Sequence, residues 1–201
     1  MYYAGIDYHK HYSTVCILDE GGEIIRERTL RPNLPEHFRN LFGELDDSLE
    51  AVFECGLNYG YLYDLLEELP CVERVVMANA YRTRIIAEAQ IKTEKIDARK
   101  LAWLLRADLI PEVHVAAPAT RARREVVRAR AHWVKTRTQL RNRIHRITER
   151  NARHLQLPQV KDLFGKAGKV ALSKAVLPAP DDMLLQQHLD ALKEIDAKVA
   201  A

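Results

Sequence analysis

Between Arg121 and Arg153, apolar residues return every seven positions, at Val126, Trp133, Leu140 and Ile147, with Val127, Val134 and Ile144 beside them. That period predicts one long helix over about 120–153, of the kind that builds a coiled-coil or helical-hairpin arm. The segment also holds twelve basic and two acidic residues, a net of +10, while the remainder holds 19 basic and 26 acidic residues, a net of −7. The formal total of +3 therefore conceals a segregation of charge. Arginine outnumbers lysine 11 to 1 in the arm. Guanidinium groups pair bidentately with phosphate and stack on bases, so the bias favours nucleic acid. A merely solvated coiled-coil face mixes signs, and this one does not. The expected contacts are Arg121, Arg123, Arg124, Arg128, Arg130, Lys135, Arg137, Arg141, Arg143, Arg146 and Arg150. His132, Asn142, His145 and Asn151 are candidates for base or ribose contacts. Trp133 reads as a seam residue. Arg130 and Arg137 interrupt the apolar stripe, either to pair with acids of a partner helix such as 181–199 or to mark a hydrated seam.

The other residues of this 201-residue chain read as an α/β domain. Residues 2–8 and 12–19 are apolar runs, Glu20-Gly21-Gly22-Glu23 is a hairpin turn, and 24–30 alternates as a third strand. Residues 36–45 have helical spacing, 49–53 form a buried-type strand, 58–69 a helix and 73–77 another strand. The order β-β-β-α-β-α-β indicates a mixed sheet opening with an antiparallel three-strand meander. Helices are expected at 80–90 and at 94–108, the latter capped by Thr93, and again at 181–199. The division is a domain over 1–110, a linker over 111–120 between Pro111 and Pro118, and the basic arm with its following helices over 121–201. No apolar run approaches the roughly 20 residues that span a bilayer. The N-terminus lacks the basic and apolar regions of a signal peptide. A cytoplasmic protein with no membrane partner is expected, associated with the nucleoid when bound to DNA. Cys16, Cys55 and Cys71 are odd in number and lack metal-ligand spacing, which argues against a disulfide framework and a zinc site. Cys16 and Cys55 read as small buried residues.

Four acids stand out by position. Asp7 ends the first apolar run and Glu54 ends the fourth, before the small-residue turn Cys55-Gly56. Glu94 and Asp97, three apart at a helix start, project from one face. Strand C-terminal ends and helix N-termini meet at the ligand-binding edge of an α/β sheet. Carboxylates converging there repel one another unless cations neutralise them, and Mg²⁺ or Mn²⁺ takes oxygen ligands of this kind. Two such ions about 4 Å apart stabilise the attacking and leaving oxygens of phosphodiester chemistry. Each acid alone is also explained as a turn residue, a cap or a partner of the helix dipole. The joint pattern is what points to a metal site. Lys10 is a candidate to hold a phosphate near it and equally a candidate surface residue, and His9 serves a structural or a functional role. Asn58, Tyr59, Asn79 and Tyr81-Arg82-Thr83-Arg84 are further candidates for the same edge, with Asn58 also a good helix cap.

Three segments carry a family resemblance: Gly5-Ile6-Asp7-Tyr8-His9-Lys10, Phe53-Glu54-Cys55-Gly56 and Lys92-Thr93-Glu94-Lys95-Ile96-Asp97-Ala98-Arg99. Over roughly residues 3–150 the chain resembles the DEDD transposases of the insertion-sequence 110 group and the related pilin-gene invertases. The resemblance implies a RuvC-like, ribonuclease-H-type domain followed by a helical coiled-coil arm. It implies a metal-binding catalytic tetrad of Asp7, Glu54, Glu94 and Asp97, with Glu94 standing where the family usually has Asp. It also implies DNA as substrate and a structured guide RNA encoded by the element. The heptads themselves suggest a homo-oligomer, dimeric or higher, assembled through the coiled coil. The activity implied is DNA strand cleavage and rejoining in transposition. In the family a C-terminal domain supplies a nucleophilic serine, and no segment here resembles it. Ser173, the only serine after Ser48, lies in Ala171-Leu172-Ser173-Lys174, which is unlike the family's serine segment. The chain is thus expected to be the N-terminal portion of such a recombinase.

Two other readings compete. One is a nucleic-acid-binding protein without catalysis. The other is an actin-like ATPase, which also opens with a strand, an Asp and a hairpin but needs a Gly-rich phosphate loop. Gly21-Gly22 is the sole Gly pair, and it sits in the first hairpin.

Overall fold

The structure is a computed structural model. It describes residues 1–56, 58–86, 94–152, 157 and 162–201, and the side chains of 85, 86 and 94–96 are outside that description. Two compact units divide it, Met1–Ala116 and Ala117–Ala201.

In the first unit, β1 (Tyr2–Tyr8), β2 (Ser13–Leu18) and β3 (Ile24–Leu30) form the expected antiparallel meander. The turn between β2 and β3 closes on Asp19, whose carboxylate accepts a hydrogen bond from the Glu23 amide at 2.9 Å, with Gly22 at φ +89°. That backbone conformation favours glycine. α1 (Pro35–Gly43) follows, with the φ of Pro35 already set for a first helical turn. β4 (Leu49–Glu54), α2 (Tyr59–Glu67) and β5 (Val72–Ala78) complete a five-stranded sheet of order β3-β2-β1-β4-β5. β4 runs parallel to both β1 and β5. α3 (Ala80–Ile86) and α4 (Glu94–Arg106) end the domain.

Strand alternation assigns the two faces of the sheet. Ala4, Ile6, Val15, Ile17, Ala51 and Phe53 face one way and pack with Phe38 and Phe42 of α1 and Leu62, Leu65 and Leu66 of α2. On the other face lie Val52, Val76 and Ala78 with Leu101 and Leu105 of α4, and Cys16 and Leu18 with Ala98 and Ala102. α4 approaches β1 so closely that a Cβ on Gly5 would meet the Ala98 carbonyl oxygen at 2.1 Å and the Ala102 nitrogen at 2.4 Å. Burial pushes the Cys16 thiol pKa up to about 11, as suits an unreactive core residue.

Residues 111–113, expected within a linker, lie along the outer edge of β5. The Val113 amide donates to the Met77 carbonyl at 2.8 Å and the Asn79 amide to that of Pro111 at 3.0 Å. An exposed strand edge is thereby covered.

In the second unit, α5 (Pro118–Arg150) is a helix of 33 residues, joined by α6 (Lys166–Ser173) and α7 (Asp181–Ala200). α6 was not expected from the sequence. Ile144 and Ile147 of α5 share a core with Phe164, Leu172, Leu177, Leu185 and Leu192. α5 and α7 are antiparallel. Arg150 pairs with Asp181 at one end, and Lys198 Nζ lies 4.5 Å from the centre of the Trp133 ring at the other. Both helices cover 17 residues between those contacts, about 25 Å at 1.5 Å per residue. The heptad seam is covered over that length only. Val126 and Val127 lie beyond it and are 71% and 68% exposed. Arg150 is an α5 arginine that pairs with an acid of α7. Asn58 stands at the α2 N-cap position without making a side-chain cap, and Thr93 lies outside the described residues.

Gly5→Ala is expected to lower the unfolding free energy by about 1–3 kcal/mol, because the methyl meets backbone atoms that have no rotamer to change. Urea unfolding checks this, and an unchanged midpoint would contradict the close packing of α4 on β1. In α7, hydrogen bonds from Arg150 and then Asn151 hold the Asp181 carboxyl below the usual carboxylate range. The stability this adds is present above that range and is lost as pH falls through the lowered value. Asp181→Asn is expected to flatten the acid limb of the Tm profile, which a pH series of thermal melts would show.

Candidate metal centre and nucleic-acid face

β1 and β4 set out the first two acids. Gly5 lies opposite Val52 and Ile6 opposite Phe53, so Asp7 and Glu54 continue the register at the same end of the sheet. Asp7 shares the face of Gly5, and Glu54 shares that of Val52. This is the face α4 covers. Asp97 lies in the first turn of α4, immediately before Ala98, whose carbonyl oxygen abuts Gly5. Three of the four expected acids are therefore placed at one edge and on one face. Glu94 begins α4 one turn earlier, and its side chain is outside the described residues. Among the described residues, no three His, Cys, Asp or Glu side chains form a group that could hold an ion.

The donor chemistry fits a hard divalent cation, since these are carboxylate oxygens on a partly solvated edge. Glu54 is exposed and Asp97 half-buried. Asp7 is one-fifth exposed, and its Oδ2 lies 3.1 Å from His9 Nε2. Thr14, opposite Asp7 in the β1–β2 ladder and on the same face, is 2% exposed. Its hydroxyl has no hydrogen-bond partner among the described residues. A buried hydroxyl in that state is suited to ordered water, such as the water a hydrated cation carries.

The β2–β3 hairpin holds α4 in place. Arg99 donates from Nε and Nη2 to the Glu27 carboxylate of β3 at 2.5 and 2.8 Å. Arg106 donates to the Glu20 carbonyl at 2.9 Å and Trp103 Nε1 to that of Gly22 at 3.4 Å. Sequence reasoning missed these anchors. The partners are 72 to 86 residues apart, and no local pattern announces them. Asn79, a candidate for nucleic-acid contact, accepts from the Arg82 amide at 3.0 Å and so caps α3.

The basic positions divide by environment. Lys10 is exposed in the β1–β2 turn. On α5, Arg123, Arg124, Arg128, Arg130, Lys135, Arg143, Arg146 and Arg150 are exposed, while Arg121, Arg137 and Arg141 are half-buried. Arg128 pairs with Glu125 at 2.7 Å, a solvated pair of little strength. Arg141 stacks 4.9 Å from the centre of the Phe164 ring, and Arg150 is engaged by Asp181. His145 packs edge-on against Phe164, and Asn151 donates to the Ile147 carbonyl and to Asp181. These four serve the core of the second unit. Burial, and then the charge of Arg143, lowers the pKa of His188 on α7, so α7 faces part of the basic helix.

A mixed α/β domain with acids at the carboxyl end of its sheet is thus followed by an arginine-rich helix. A family model describing transposases, the DEDD type of the insertion-sequence 110 group, matches residues 4–150. The chain belongs to that transposase family. The match ends with α5, so α6 and α7 lie beyond it. A search of curated proteins gives no match. No helix among the described residues is long and apolar enough to cross a membrane.

Proposed function

We propose that this chain binds divalent metal and nucleic acid as a DEDD-type DNA recombinase, acting in transposition by strand cleavage and rejoining. The observation that carries this is the placing of Asp7, Glu54 and Asp97 on one face at one end of the sheet, in a chain of the transposase family. The strand order, with β1–β3 antiparallel and β4 and β5 parallel to β1, agrees with the RuvC-like fold that the resemblance implies. Asp7, Glu54, Glu94 and Asp97 would hold Mg²⁺ or Mn²⁺. When bound, the metal supplies charge stabilisation to the oxygens of the reacting phosphodiester. The protein's part is to set the carboxylates on rigid elements and to hold the nucleic acid.

The exposed arginines of α5 take that second role, on DNA and on a guide RNA. From 118 to 132 nearly every residue is exposed, so the first four turns present charge without cover from α6 or α7. The exposed valines there suit a second copy of the chain and a coiled-coil seam between copies.

Titrating Mn²⁺ or Mg²⁺ into the protein is expected to raise Tm with the logarithm of free metal above Kd, by about 2.7 kcal/mol of added stability at a hundredfold excess over Kd. Asp7→Asn and Asp97→Asn are each expected to abolish the rise. A Tm indifferent to both metals would sink the metal-site reading and leave a non-catalytic nucleic-acid-binding protein. For the arm, the combined Arg123→Ala, Arg124→Ala and Arg130→Ala variant is expected to bind duplex DNA more weakly. Its log K against log salt slope is expected to flatten by about 0.9 for each phosphate that the arm no longer neutralises. An unaltered slope would take these three residues out of the interface.

A further inference from the structure

We infer that His9 is a positioning residue for the Asp7 carboxylate, an assignment that rests on the metal-site reading above. His9 is held from several sides. Its amide donates to the Tyr12 carbonyl at 3.0 Å, closing the β1–β2 turn. Its own carbonyl accepts from Asn33 Nδ2 at 2.5 Å, and Asn33 Oδ1 accepts from the Ser13 hydroxyl at 2.7 Å. The imidazole packs on the Tyr12 ring with centroids 4.7 Å apart, and the Arg31 guanidinium lies 4.8 Å from the centre of that same tyrosine ring. The β1–β2 turn and the loop after β3, itself tied to the start of β2, therefore hold the His9 backbone, and the imidazole rests on Tyr12.

The ring so held places Nε2 at 3.1 Å from Asp7 Oδ2. An ionised carboxylate only accepts hydrogen bonds, so Nε2 carries the proton and donates it. The terminal torsion of a carboxylate is broad, and the bond to His9 narrows it for Asp7 before an ion arrives. The entropy of orienting the ligand is then lost on folding and not on binding, which raises affinity. Groups that orient metal-ligating carboxylates in this way are typically worth about 10–100-fold in metal affinity. His9 acts through Asp7 and is not itself counted among the ligands.

The test compares wild type with His9→Ala, His9→Gln and Asp7→Asn, using Mn²⁺ alone as the probe. Mn²⁺ affinity is read by calorimetry and the ligand nitrogens by pulsed electron paramagnetic resonance. His9→Ala is expected to weaken Mn²⁺ about 10–100-fold while leaving the metal-free Tm unchanged, which a merely structural residue would lower. His9→Gln restores an N–H donor and is expected to recover much of the affinity. The wild-type spectrum is expected to lack a directly coordinated nitrogen. Unchanged affinity in His9→Ala overturns the inference, and so does a histidine nitrogen bound to Mn²⁺, which would make His9 a ligand. Failure of the underlying metal site looks different: wild type would then bind Mn²⁺ no better than Asp7→Asn.

Discussion

The contact between Gly5 and the backbone of α4 is the constraint on which the candidate site depends. No side chain separates β1 from the helix at this point, and a single Cβ would lie 2.1 Å from the Ala98 oxygen. Glycine inside a strand costs about 0.5–1 kcal/mol relative to alanine. That loss is offset by the apolar face the contact allows α4 to bury: Ala98, Leu101, Ala102 and Leu105 are all at most 5% exposed. Because the spacing is set by backbone against backbone, no rotamer change alters it. Asp97 precedes Ala98 by one residue and Asp7 follows Gly5 by two. The distance between strand acid and helix acid is thus governed by this backbone-on-backbone contact, and the hairpin bonds from Arg99, Trp103 and Arg106 keep the helix from sliding along the sheet.

This constraint also separates what was legible in the sequence from what was not. The strands were readable because β-branched and apolar runs ended at turn residues, as at Glu20-Gly21-Gly22-Glu23. Asp7 and Glu54 could be placed at strand ends for the same reason. Their shared face followed from period-two alternation once β1 and β4 paired. The glycine of β1 gave no such signal, because Gly5 in an apolar run looks like a weak strand position until the helix opposite it is known. His9 likewise could not be resolved from sequence. Its role depends on Tyr12, Arg31 and Asn33, and the last two come from a loop that folds back over the turn.

The second unit shows the limit of periodicity. Seven-residue spacing revealed α5 but not where its seam is covered, because cover depends on the length of the partner helix. α7 has 20 residues, and its ends are fixed by Asp181 and Lys198. The seam is dry at Ile144 and Ile147 and open at Val126 and Val127. The arginines follow that division in part. Beside the covered half, Arg141 stacks on Phe164 and Arg150 pairs with Asp181 while Arg143 and Arg146 stay exposed, and beyond it Arg123, Arg124 and Arg130 are all in solvent. Equal charges in one sequence pattern thus acquire unequal tasks from partners 23 and 31 positions downstream.

Segregated charge makes physical sense on the proposed reading. An edge bearing Asp7, Glu54, Glu94 and Asp97 repels phosphate, so it cannot be the source of affinity for nucleic acid. At physiological ionic strength the Debye length is about 8 Å, so the repulsion has to be cancelled at the edge itself. Affinity and chemistry therefore need different cations. On that reading the helix would supply fixed guanidinium groups that hold phosphates by counterion release, and the sheet edge would require an exchangeable divalent ion of its own to let a phosphodiester approach. The near-neutral sum of the chain follows from carrying both requirements at once: a −7 remainder that includes the acidic edge and a +10 segment on the arm. Orientation of Asp7 by His9 serves the sheet edge, since a pre-set carboxylate captures the ion that the acidic edge cannot work without.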